Sequence, residues 1–213
     1  MFDWPGKSAA DGQVRHPAVL HMLDVGAVAE RLIAPFGIEP ALRDALVLLV
    51  ALHDLGKISD SFRAMIERDA AQGYRHWQLS EALFFAHDAL LGAALGGDDL
   101  QRTALYAAVA GHHGQPSDID LVANNGMNLR KALRQVGSGL EPAGEVISAF
   151  GALWPRASLR GLPFGAATTA LSWWLPGLCA AADWIGSNTL WFPPKSGQPP
   201  LADYLAGARA AAR

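Results

Sequence analysis

The stretch Leu52-His53-Asp54-Leu55-Gly56-Lys57 sets an imidazole beside a carboxylate at the end of the apolar run Ala45 to Ala51. That run reads as a buried helix, so the pair stands where burial is expensive. Desolvating a carboxylate and an imidazole costs on the order of several kcal/mol unless a partner compensates, and one metal ion compensates both. Gly56 lets the chain turn sharply after the pair, and Lys57 then brings a positive charge close to whatever the metal holds. The plainer alternative is a helix that ends in a solvated His-Asp. A second signal is His112-His113, set between Gly111 and Gly114 directly after the apolar Ala107 to Ala110. The pair therefore falls where a core helix surfaces, although a solvated loop would also tolerate it. Asp183 is a lone carboxylate in an apolar helix, a residue type rarely left unpaired; an arginine, a helix end or a metal would each serve as its partner.

His21 and His76 complete a set of imidazoles and carboxylates: His21, His53, Asp54, His76, His112, His113 and Asp183. These nitrogen and oxygen donors are too many for one tetrahedral zinc. They suit two adjacent divalent ions bridged by a carboxylate, with positions left for water and substrate. Asp54, directly after a ligating His, is the natural bridge. Mixed His and Asp ligation favours Mn, Fe, Co or Ni, with Mg possible but better served by oxygen alone.

The elements that must position these groups are helical. Residues 1–14 read as an irregular lead-in. Apolar residues at helical spacing predict an amphipathic helix over 18–34 with His21 and Val25 on one face. Pro35 and Gly37 end it. A second helix, 40–53, ends in the His-Asp pair, and Ser59 or Asp60 is placed to cap a third over 60–70. A long helix is predicted over 75–95, with His76 at its start and His87 three turns on. Gly96-Gly97 ends it, and Asp98-Asp99 caps a helix over 98–111. The signal is weak from 117 to 166. Residues 128–136 read as a short helix carrying Arg130, Lys131 and Arg134; a solvated face is the simpler account and a nucleic-acid contact the sharper one. A strongly apolar helix over 167–187 is expected to break or kink at Pro176. Two Pro-Pro pairs bracket a linker-like stretch, and an Ala-rich helix covers 201–212. The division expected is a domain over 1–195, then a Pro-rich linker and short helix over 196–213.

Composition narrows the class. The 213 residues suffice for a substantial core. Abundant Ala and Leu with little β-branched character favours an all-α fold. A net charge of −3 argues against gripping nucleic acid by charge alone. No run approaches the roughly 18 apolar residues of a membrane span, no signal-peptide pattern opens the sequence, and the single Cys179 excludes an intrachain disulfide framework. Cys179 reads as a small buried apolar residue. A cytoplasmic protein without a membrane partner is expected.

The order His…His-Asp…His…His-His…Asp resembles the HD superfamily of metal phosphohydrolases. More closely, it resembles the HD nuclease domain of the CRISPR-associated helicase-nuclease of type I systems. The matching stretches are HMLDVGAVAERL (21–32), LHDLGK (52–57), RHWQLSEAL (75–83), AVAGHHGQP (108–116) and ADWIGSN (182–188), in order over about residues 1–195. Their context favours His21 over His16 and His76 over His87 as ligands, which leaves His16 and His87 to the core or to support. The resemblance implies an HD-domain helical bundle and metal-dependent cleavage of single-stranded DNA, with RNA a further substrate. It also implies a partner helicase recruited by an RNA-guided surveillance complex. The chain has no Gly-x-x-x-x-Gly-Lys-Ser/Thr loop, so it is expected to be either a separate nuclease subunit or a domain of a longer protein. Ala202-Asp203-Tyr204-Leu205 resembles the family's run-in to the helicase. In such a site Asp54 and Lys57 would act at the reacting phosphate, and Asp24, one turn after His21, is placed to orient an imidazole. Two other classes remain: an HD phosphohydrolase acting on small nucleotides, and a docking module whose histidines are structural.

Overall fold

The helix that opens at Ala18 is buried at every position as far as Ala29, with His21 and Asp24 inside the stretch. In the computed structural model, which describes residues 1–8, 15–115, 120–163 and 165–213, this helix, α1 (Ala18–Ile33), is the central one. The helix stands where the periodicity put it, and its buried face is wider than an amphipathic pattern implies. It packs against α2 (Pro40–Ala51), the long C-terminal helix Ala166–Gly186 and the last helix, Leu201–Ala211. A helix covered on all sides reads as apolar all round, which erases the polar stripe that periodicity looks for.

α2 begins with Pro40 at its first position, capped by Glu39, whose carboxylate accepts from the amides of Ala41 and Leu42. It is buried from Asp44 onward and delivers the chain into the His53-Asp54 turn. Ser59 caps α3 (Asp60–Arg68) by accepting from the Phe62 amide, while Asp60 accepts from Ser138. The predicted long helix over 75–95 is two helices, α4 (His76–Ala86) and α5 (Asp88–Leu95). They part at His87, whose Nε2 donates to the Leu140 carbonyl at 2.9 Å, tying the break to a neighbouring helix. α6 (Asp99–Ala110) opens with a capping box, Asp98 and Gln101, as the paired aspartates implied. α7 (Ala123–Val136) starts before residue 128, and α8 (Leu140–Leu153) lies where the sequence signal was weak.

α9 (Ala166–Gly186) is one continuous helix through Pro176. Packing along both α1 and α6 holds the helix on either side of the proline, and tertiary contacts of this kind commonly override local propensity. The lead-in is not wholly irregular: Pro5–Ser8 (β1) pairs antiparallel with Arg15–Pro17 (β2), the strand content among the described residues. α10 (Leu201–Ala211) returns to α1 and buries Tyr204, Leu205 and Ala208. Arg209 donates two bonds of 2.6 and 2.7 Å to Glu30 of α1, and Trp154 donates to the same carboxylate at 2.6 Å. The fold is therefore all-α with an HD-type arrangement, and no helix among the described residues is long and apolar enough to cross a membrane.

Gly56 is needed for space. Its φ is not left-handed, but a Cβ there would overlap the His76 carbonyl oxygen and the Ser80 amide. The Gly56 amide donates to Ser80 Oγ at 2.8 Å, locking the His-Asp turn onto the start of α4. Because the obstacle is backbone, Gly56→Ala should destabilise the chain by about 1–3 kcal/mol, the usual range for overpacking, read as a lowered urea midpoint with an unchanged m-value; unaltered stability would contradict the close approach.

Candidate metal centre

Five segments converge on Asp54. α1 supplies His21, and the turn after α2 supplies His53 and Asp54. The first residue of α4 is His76, the turn after α6 holds His112 and His113, and the last turn of α9 carries Asp183. Their donor atoms form two sets, His21, His53, Asp54 and Asp183 in one, His76, His112 and His113 in the other, with the atoms of each set within 4.8 Å of one another. Asp54 faces both. Its Oδ2 lies 3.1 Å from His21 Nε2 and 3.2 Å from His53 Nε2; its Oδ1 lies 3.3 Å from His76 Nε2 and 3.9 Å from His112 Nε2. Asp183 Oδ1 stands 3.2 Å from His21 Nε2 and 3.6 Å from His53 Nε2.

The backbone fixes the rings. His53 Nδ1 is 3.0 Å from the Val50 carbonyl and His112 Nδ1 is 2.7 Å from the Val109 carbonyl, each three residues back. With Nδ1 donating outward, Nε2 of each ring points inward, the tautomer a metal ligand requires. Both Nε2 atoms, together with Asp54 Oδ1 and His21 Nδ1, are buried without a hydrogen-bond partner. Buried polar groups are rarely left in this state. A cluster of inward-facing lone pairs, with His76 Nε2 and His113 Nε2 3.1 Å apart, is what a divalent transition ion would satisfy. The donor set therefore fits such ions.

Charge within the cluster follows the same logic. Burial alone would push Asp54 up, but His53 and Lys57 hold its carboxyl well below the usual range; Lys57 Nζ is 2.5 Å from Oδ2. Burial likewise opposes ionisation of Asp183, and the neighbouring His21 and His53 imidazoles lower it nonetheless. Burial lowers His21, His113 and His112, the last to about 3, so these imidazoles stay neutral. His53 differs: burial pulls it down, but Asp54 and then Asp183 overcome this and lift it to about 9. Without a cation, a proton on His53 answers the two carboxylates.

Other expected site residues lie apart. Asp24 does not orient His21. It accepts from Tyr204 Oη at 3.0 Å and pairs with His16 Nε2 at 3.1 Å, while His16 Nδ1 receives the Lys195 amide. The reason is direction: His21 faces α2 and α9, whereas Asp24 faces the lead-in and α10. His87 holds α8 through Leu140. Arg130, Lys131 and Arg134 lie on the exposed face of α7, outside both donor sets. Two neighbours escaped the sequence reading. Ser80, one turn after His76, clamps the His-Asp turn, and Trp77 lies against His113 with ring centroids 4.5 Å apart. Their spacing from His76 was the available signal.

The raised His53 gives a pH dependence. Its folded value exceeds the ordinary 6.5, so its stabilisation is fully present below about 6.5 and is lost as pH rises through about 9. Denaturation of chelator-treated protein should show falling stability from pH 6.5 to 9.5, and His53→Gln should flatten that fall; equal slopes in both proteins would refute the assignment.

Comparison with known proteins accords with this geometry. The family described as "Cas3, HD domain" matches residues 4–192. Searching curated proteins gives no match. Among solved structures, the Thermus thermophilus cas3 HD domain in the presence of Ni2+ is similar at 25% identity and a TM-score of 0.66, covering 97% of this chain and 85% of that one. A crystal structure described as a CRISPR-associated protein is similar at 22% identity and a TM-score of 0.69, covering 99% of this chain. T. fusca Cas3 has the same fold at 18% identity and a TM-score of 0.71, again over 99% of this chain. The chain spans 26% of the length of each of these last two. Since the family match extends over most of the sequence and takes in every donor of both sets, the chain belongs to the Cas3 HD-domain family, metal-dependent hydrolases of the HD type.

Proposed function

We propose that this chain is a nuclease that holds two divalent transition ions and cleaves single-stranded DNA in type I CRISPR interference. The observation that carries this reading is Asp54, whose two oxygens face different donor sets, Oδ2 toward His21 and His53 and Oδ1, buried without a hydrogen-bond partner, toward His76 and His112. His21, His53, Asp54 and Asp183 would hold one ion; His76, His112 and His113, with the other oxygen of Asp54, would hold the second. Bound there, the ions would supply Lewis acidity and a hydroxide at neutral pH.

The chain's own residues do the rest. The Val50 and Val109 carbonyls keep His53 and His112 in the ligating tautomer. Asp54 and Asp183 remain ionised at all working pH values. Lys57 sits beside Asp54 with its ammonium partly exposed and would offset negative charge as it builds on the phosphate. Exposed Arg130, Lys131 and Arg134 are available to a phosphate backbone, but a net charge of −3 keeps intrinsic affinity low. A helicase feeding the strand would compensate by local concentration. T. fusca Cas3, solved with ATP, ADP and AMPPNP, is about four times longer than this chain and supports a nucleotide-driven partner. The reading takes that partner to be brought by an RNA-guided complex in the cytoplasm.

Circular single-stranded DNA tests the reading, because a circle has no ends. With Mn2+, Co2+, Ni2+ or Mg2+ added, the chain should linearise it. Asp54→Ala should cut more than about 100-fold more slowly and lose bound metal. Lys57→Met should retain metal while losing roughly 10²–10³ in rate. Turnover of nucleoside phosphates with no cut circles would replace this reading with the small-nucleotide one.

A further inference from the structure

Next to the metal centre runs a groove of about 460 Å³ that the donor sets do not use. Ala104, Ala107 and Ala108 of α6 form one wall, Trp173 of α9 stands on the other, and Gly111 and Gly114 close its inner end. Those two glycines bracket His112 and His113, so the groove opens onto the turn that presents two of the metal donors. Nothing charged lines it. Trp173 is 83% exposed, an unusual position for the largest apolar side chain.

We propose that this groove is a subsite for a nucleobase of the substrate strand, with Trp173 as its stacking surface. The proposal rests on the polynucleotide reading above. Three features select a base as the occupant. First, a strand whose phosphate lies at the metal centre must set a base close by, and Gly111 and Gly114 bring the groove to the turn that holds His112 and His113. Second, a neutral lining suits the face of a base and not its phosphate, whose charge the metal centre and Lys57 meet. Third, the alanines and glycines leave room for a flat group: Ala104 to Gly111 spans about 10 Å of helix, enough for one or two bases stacked at about 3.4 Å. An indole accepts any base, since every base has a π-face, so the subsite gives grip without sequence preference. It also answers the shortage of positive charge, because stacking does not depend on the protein's net charge.

The test separates this subsite from the chemistry. Anisotropy of fluorescent oligo(dT), measured in EDTA so that nothing is cut, is compared with an abasic strand of equal length. Wild type should prefer oligo(dT). Trp173→Ala should weaken oligo(dT) binding roughly 10- to 100-fold, the span expected for one stacked base, and bind both strands alike, while Trp173→Phe keeps most of the preference. The Tm of Trp173→Ala should be unchanged, and so should the amount of Mn2+ it binds, since neither involves a base. A change under two-fold, no measurable binding by wild type, or a groove shown by sedimentation to seat another copy of the chain would each overturn the proposal. Base-dependent binding with no cutting of DNA by any metal would leave the subsite standing and remove the nuclease reading instead.

Discussion

The rest of the molecule is arranged around a carboxylate that should not be where it is. Asp54 is about 1% exposed, with a second carboxylate, Asp183, reaching the same imidazoles. Burying like charges together is unfavourable unless cations or hydrogen bonds answer them. Here the answer comes from imidazoles contributed by α1, α2, α4 and the turn after α6, and from Lys57. No local segment can hold such a cluster; it exists because helices distant in sequence are packed tightly enough to fix it. That accounts for a feature otherwise odd in a small protein: its most buried helix, α1, carries a histidine and an aspartate through the middle of the core.

The chemistry was more legible than the architecture. Imidazoles and carboxylates in apolar surroundings are conspicuous by type, and the structure brings His21, His53, Asp54, His76, His112, His113 and Asp183 into two adjoining sets. Helix limits were readable where caps or breakers marked them, as at Ser59, Asp98 and Gly96. What failed was reading direction. Asp24 was expected to orient an imidazole; the one it meets is His16 and not His21, and its partners His16 and Tyr204 arrive from opposite ends of the sequence. The break at His87 is tied to the first residue of α8 by one hydrogen bond between residues 53 apart, and no short window along the chain contains both. Pro176 does not split α9 in two, because packing on two helices outweighs a missing N–H.

Gly56, Ser80 and Trp77 show how support is divided. The glycine allows the His-Asp turn to touch α4, the serine fastens it there, and the tryptophan covers His113. None is an obvious ligand type, yet each limits how far the donors can drift, and displacements of an ångström are enough to spoil a catalytic geometry.

The knot of His16, Asp24, Tyr204 and the Lys195 amide has a further consequence. It joins residues from both extremes of the described chain to one buried acid, and Glu30 repeats the pattern one and a half turns along with Arg209. A protein shortened to residue 195 would keep every donor in both sets but take Tyr204 from Asp24 and Arg209 from Glu30, leaving each acid on α1 with one neutral or imidazole partner, His16 or Trp154. The helix that carries the first donor is thus held from both sides of residue 195, and what crosses that point is set by the two acids along it.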